Sequence, residues 1–142
     1  MANEIDVTRL GRLSKNVRFS SSPCVVLTNH DGQNFPDFSI NNETVKYDRI
    51  VCDVPCSGDG TIRKNPDIFG KKWSPIKGNL RHNLQYNIAE RGMELLKVGG
   101  IMAYSSCSMN PIENEAVVSR YYYHSTLKFR KKCNFWEAAS TL

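Results

Sequence analysis

The feature that most restricts this chain is an apolar run cut short by proline. Arg49-Ile50-Val51-Cys52-Asp53-Val54 stops at Pro55, which cannot donate to a central ladder, so the run predicts a strand over 49–54 with a hard carboxyl end. A loop rich in glycine and proline follows, from Ser57 to Gly78. Leu80, Leu84, Ile88, Leu95 and Leu96 then recur near helical spacing, predicting a helix over Asn79–Lys97 that Gly99-Gly100 ends. Ile101-Met102-Ala103-Tyr104 predicts the next strand, and a second helix is expected after Asn110, with Pro111 at its first position and Glu113 and Glu115 facing the positive end of the dipole. Upstream, Cys24-Val25-Val26-Leu27-Thr28 reads as another buried strand, stopped by Asn29-His30-Asp31-Gly32, and 33–46 as a loop or small hairpin. Strands over 24–29, 49–54 and 100–105, with a long helix between the last two, predict an α/β fold built on one mainly parallel sheet.

In open sheets of this kind ligands lie beyond the carboxyl ends of the strands. Those ends carry Asn29-His30-Asp31, Asp53-Val54-Pro55-Cys56 and Ser105-Ser106-Cys107-Ser108, so two cysteines and two acids are expected on one edge. Cysteine is small and often buried, and Cys24 and Cys52, inside strand patterns, are read as core. Cys56 and Cys107 follow strand ends among Ser, Gly and Pro, and spacing alone leaves both a packing and a functional reading open.

Composition narrows the partners. Five cysteines are an odd number, which argues against a secreted disulfide framework and for a reducing, intracellular compartment. No apolar run approaches the roughly 18 residues of a membrane span, and Met1–Arg18 lacks the apolar middle of a secretory signal. The net charge of +5 is compatible with a polyanionic partner. A zinc site using Cys52, Cys56 and a histidine is disfavoured, because no second paired cluster exists and His30, His82 and His124 are scattered; no metal is expected.

Asp53-Val54-Pro55-Cys56-Ser57-Gly58-Asp59-Gly60-Thr61 resembles the proline-cysteine motif of the Nop/Sun family of RNA cytosine-5 methyltransferases. Tyr104-Ser105-Ser106-Cys107-Ser108-Met109-Asn110-Pro111-Ile112-Glu113-Asn114-Glu115 is similar to its second cysteine motif, with Ser106 where threonine is usual. Ala2-Asn3-Glu4-Ile5-Asp6, Ser22-Pro23-Cys24 through Asp31, Arg63-Lys64-Asn65 and Lys71-Lys72-Trp73 look like the eukaryotic transfer-RNA members. The resemblance covers about residues 2–119. It implies a Rossmann-like methyltransferase sheet, truncated at its N-terminus, with a partial catalytic domain over 1–120 and a divergent tail over 121–142. It also implies S-adenosylmethionine as cofactor, RNA, above all tRNA, as substrate, and a nuclear or nucleolar location.

The chemistry explains the cysteines. Carbon 5 of cytosine is a poor nucleophile until a thiolate adds to carbon 6, which splits one hard step into easier ones. The resemblance implies that Cys107 is that nucleophile and Cys56 assists product release. It places Glu4 at the ribose of the cofactor, Asp31 beside the adenine, and Asp53 between cofactor and target base, able to handle a proton. From the residues alone, Asp31 reads as a turn former before Gly32. Arg63, Lys64 and Lys72, with Trp73 among them, are candidates for RNA phosphates, against the alternative of a solvated basic loop. The family's glycine-rich turn for the methionine end of the cofactor has no counterpart, and Gly58-Asp59-Gly60 is not a substitute. The 142 residues alone are therefore expected to be inactive. A non-catalytic RNA-binding module with the same fold is the alternative.

Overall fold

A computed structural model describes residues 1–19, 22–70, 74, 76–128 and 134–137. Its centre is the predicted strand–helix–strand unit. Strand β5 (Tyr47–Asp53) runs parallel to β6 (Leu96–Ser105), with Cys52 opposite Tyr104 and Asp53 opposite Ser105. Helix α2 (Ile76–Leu95) connects them. It covers one face of the pair with Tyr86, Ala89 and Met93, which pack with Cys52, Val54, Met102 and Tyr104. Gly92 sets how closely α2 approaches: a Cβ there would lie 2.9 Å from both Cys52 Sγ and Met102 Sδ. Helix α3 (Glu115–Lys128) adds Val117, Val118 and Tyr121 to this core, and the Arg120 guanidinium sits 4.1 Å over the Tyr86 ring.

Four earlier strands are short. β1 (Ala2–Asn3) and β2 (Leu27–Thr28) pair in parallel, and β3 (Ser39–Ile40) and β4 (Glu43–Thr44) form a hairpin turned by Asn41 and Asn42, both at positive φ. Asn tolerates that conformation better than most residues, so the small-hairpin option for 33–46 is the one the chain takes. A single-turn helix over Gly32–Asn34 packs on α2, where Asn87 donates to Gln33 Oε1 and the Arg91 guanidinium donates to the Phe35 carbonyl. Through it the β1–β2 pair is joined to the main unit.

Several expectations need correction. The strand expected over 24–29 is only Leu27–Thr28, and it pairs with β1 and not with the β5–β6 sheet. Pro23 and Cys24 sit in a turn, with the Ser22 hydroxyl accepting from Cys24 N–H, so Cys24 is exposed and not core. Helix α2 starts before Asn79 and ends at Leu95. Gly99, at φ +79°, accommodates an irregular lead-in within β6, where the register with β5 shifts between Tyr47 and Arg49. The polar segment before Arg18 forms helix α1 (Val7–Arg18), capped by Asp6, whose carboxylate accepts from Arg9 N–H. The last helix begins at Glu115, not at Pro111. Strand β7 (Asn134–Glu137) adds to the free edge of β6 in parallel, and α3 runs through residue 120.

Candidate active site

Both cysteine motifs leave the sheet at the same end. Asp53 and Ser105 are register partners at the carboxyl ends of β5 and β6, Val54 N–H donates to the Ser105 carbonyl, and the Ser105 hydroxyl donates to Asp53 Oδ1 at 3.1 Å. From there the two loops fold against each other until Cys56 Sγ and Cys107 Sγ are 3.1 Å apart. Both are free thiols; Cys107 is exposed and Cys56 half-buried. Burial, and then the hydrogen bond to Cys107, push the Cys56 thiol up to about 12, which keeps it protonated at neutral pH.

Glycines make the approach possible. Gly60 N–H donates to the Cys107 carbonyl at 3.0 Å, and a Cβ at Gly60 would lie 2.8 Å from that oxygen. Gly58, at φ +75°, turns the chain so that Asp59 points inward. The buried Asp59 carboxylate accepts from Met109 N–H at 2.8 Å, so the first loop holds the backbone of the second on both sides of Ser108. The buried Glu113 lies beneath them. Ser57 N–H and Gln85 Nε2 donate to its Oε1 at 2.9 and 3.2 Å, and the Ser57 and Ser108 hydroxyls both donate to its Oε2 at 2.5 Å. Asn114 closes the second loop, accepting from the Ser106 hydroxyl and donating to the Ser108 carbonyl.

The structure thus brings Cys56, Cys107 and Asp53 to one place. Glu4 and Asp31 form a second group at the ends of β1 and β2. Glu4 accepts from Asp6 N–H and pairs with Arg9 Nε at 3.2 Å. Asp31 accepts from Gln33 N–H, Gln33 Nε2 and Asn34 Nδ2. The side-chain bond from Gln33 is the largest cause holding its carboxyl below the usual range, so the turn-forming role expected from the residues is the one its bonds show. Among the described residues neither acid is hydrogen-bonded to the cysteine loops. Arg63 and Lys64 are exposed in the turn that follows Gly60-Thr61, and Lys72 lies outside the described residues. No three His, Cys, Asp or Glu among the described residues form a metal-holding group.

Sequence reasoning missed the supports of the cysteines. Glu113 reads in sequence as a first-turn acid serving a helix dipole, but it lies before α3, fully buried against Ser57 and Ser108. Asp59 reads as part of the loop rich in glycine and proline that follows Cys56, and is buried too. A usable signal was present: each cysteine is followed directly by serine, and an acid sits a few residues beyond the second pair.

The chain is similar in sequence and fold to known methyltransferases. The chain is 47% identical over 125 residues to a tRNA (cytosine(34)-C(5))-methyltransferase of Drosophila melanogaster and 45% identical over 125 residues to a multisite-specific tRNA:(cytosine-C(5))-methyltransferase of Saccharomyces cerevisiae. Each match covers 84% of this chain, which spans only 17% and 18% of those proteins. Among solved structures, a methyltransferase homologue from Pyrococcus horikoshii matches with TM-score 0.64 and 30% identity, over 86% of this chain and 35% of that one. NSun6 from Pyrococcus horikoshii with SFG shares the fold at TM-score 0.72 and 22% identity, over 87% of this chain and 30% of that one. The family model for 16S rRNA methyltransferase RsmB/F matches residues 1–137, and with the paired cysteines at the sheet end it shows that this chain belongs to the RsmB/F (Nop/Sun) methyltransferase family.

Proposed function

We propose that the chain is the catalytic part of an RNA cytosine-5 methyltransferase acting on tRNA, with residues 1–120 carrying the reacting groups and β7 extending their sheet. The observation that carries this reading is the pair of thiols 3.1 Å apart at the carboxyl end of the sheet, one exposed and one held protonated. Cys107, on the open side, forms the bond to carbon 6 of the cytosine and sends the ring's electron pair to carbon 5. Asp53, tied to Ser105 two residues before Cys107, holds a proton or the base amine at the same edge. Asp53 then takes the proton from carbon 5, the electrons of that bond re-form the ring double bond, and the bond from carbon 6 to Cys107 breaks to restore the thiolate. Cys56, a neutral thiol beside the leaving sulfur, serves that release by donating a hydrogen bond to the departing thiolate and keeps its own proton. Arg63 and Lys64, exposed just after the first loop, hold RNA phosphates, and Lys72 is assigned the same role from the sequence. Four free thiols among the described residues and an RNA substrate support an intracellular, nuclear or nucleolar location.

The residues present fit the adenosine half of S-adenosylmethionine. Glu4 and Asp31 follow the ends of two hydrogen-bonded strands, and a carboxylate has about four acceptor sites, more than the protein donors each one meets. When bound, the cofactor supplies the sulfonium methyl group that carbon 5 takes.

Substitution in the enzyme at its full natural length tests the reading. Cys107→Ala abolishes methyl transfer and leaves no adduct, whereas Cys56→Ala retains a covalent protein–RNA species on denaturing gels with labelled tRNA. A Cys107→Ala enzyme that still methylates would refute the assignment. An adduct with Cys107→Ala and none with Cys56→Ala would reverse the two roles. RNA binding with no transfer by the unsubstituted enzyme would instead favour a non-catalytic module.

A further inference from the structure

Among the described residues, the strongest polar convergence contains neither cysteine. Glu113 is 0% exposed, yet four donors reach its carboxylate. Two of them are the hydroxyls of Ser57 and Ser108, both on Oε2, and these hydroxyls are themselves 3.1 Å apart. Ser57 directly follows Cys56, and Ser108 directly follows Cys107. One oxygen atom therefore ties the residue after each thiol, and the same carboxylate takes the Ser57 N–H and the Gln85 amide, which also donates to the Pro55 carbonyl. Glu113 is fixed in turn by its own backbone, since its carbonyl accepts from the core Tyr104 hydroxyl at 2.6 Å.

We infer that Glu113 is a positioning residue that sets the distance between the two cysteines, and with it the balance between attack and release. This rests on the proposed roles of Cys107 and Cys56. A buried carboxyl group collecting several hydrogen bonds is a stiff anchor. Loosening it frees Ser57 and Ser108 to drift apart and takes Cys56 away from Cys107. Attack by Cys107 needs no second thiol, but release does. The signature of a failed clamp is therefore an accumulated adduct, not a loss of all chemistry.

The test uses the full-length enzyme with labelled tRNA and compares Glu113→Gln, Ser57→Ala and Ser108→Ala with the unsubstituted protein, Cys56→Ala and Cys107→Ala. Glu113→Gln keeps the shape but replaces one acceptor oxygen with a donor; the serine variants each remove one tie with little risk to folding. The expected result is turnover lower by on the order of 10²-fold in Glu113→Gln, the scale of a displacement of about 1 Å. Adduct should accumulate as in Cys56→Ala. The serine variants should shift the same way to a smaller degree, and Ser57→Ala combined with Glu113→Gln should lose less than the sum of the two. Glu113→Gln with unchanged turnover and no adduct overturns the inference. So does activity that falls only in step with the unfolded fraction, with no adduct in either serine variant. Transfer by Cys107→Ala would show that the underlying reading has failed and not the clamp.

Discussion

Gly60→Ala isolates the contact between the two motif loops. The new Cβ would lie 2.8 Å from the Cys107 carbonyl oxygen and 3.4 Å from its carbonyl carbon, and that oxygen belongs to backbone and cannot swing aside. Restoring an ordinary contact of about 3.4 Å moves the Cys107 backbone, or the Gly60 loop, by about 0.6 Å and stretches the 3.0 Å bond from Gly60 N–H. If a misplacement of about 1 Å costs about 100-fold in rate, this shift costs on the order of tenfold. The strained hydrogen bond adds about 1 kcal/mol at most to the loss of stability. Gly58→Ala is the control. Its φ of +75° makes a side chain unfavourable by about 1–2 kcal/mol, but its Cβ would meet Cys107 Sγ only at 4.0 Å. Steady-state methyl transfer to tRNA, with urea unfolding of the same preparations, separates the two. Gly60→Ala should lose mainly kcat, and Gly58→Ala mainly stability. Full kcat in Gly60→Ala, with its circular dichroism intact, would refute the claim that this contact places Cys107.

Two further outcomes follow from the core. Tyr104→Phe removes the buried donor to the Glu113 carbonyl and should destabilise the fold by about 1–3 kcal/mol in urea unfolding; a change under about 0.5 kcal/mol would mean that bond contributes little. Burial pushes Cys52 up to about 12, and burial with the Cys107 hydrogen bond does the same to Cys56, against an ordinary thiol value of 9.0. Because the folded values are raised, the stability from both thiols is fully present below pH 9 and is lost as pH rises toward 12. Melting temperatures measured from pH 8 to 11 should therefore fall with pH, and less steeply in Cys52→Ala than in the unsubstituted chain; equal slopes would contradict the assignment to Cys52.

What could be read from the sequence depended on whether a segment carried its own stop signals. β5 did, through Pro55; α2 was legible as a helix, but Leu80 is exposed, Leu96 belongs to β6, and the Gly99-Gly100 stop lies inside that strand. The register Asp53–Ser105 then puts both cysteines at one end, as the strand ends alone require. The N-terminal strands did not, because two-residue ladders leave no period to detect and Pro23 turns the chain just before β2. α1 was hidden by its polar composition, although Asp6 capping Arg9 N–H is a readable start. Cys56 and Cys107 were legible as a pair through the family motifs. The acids that hold them were not, since Asp59 and Glu113 are buried by contacts between loops far apart in sequence, and the only hint along the chain was the serine after each cysteine with an acid a few residues beyond the second pair.

The central claim is that Cys107 bonds covalently to the base. The most direct measurement uses RNA carrying 5-fluorocytosine at the target position, where no proton can leave carbon 5 and the adduct is trapped. Incubated with the full-length enzyme and S-adenosylmethionine, digested and mapped by mass spectrometry, the nucleotide should be found on the peptide containing Cys107 and on no other cysteine. An adduct on Cys56, or turnover-competent enzyme with no trapped species at all, would contradict the account.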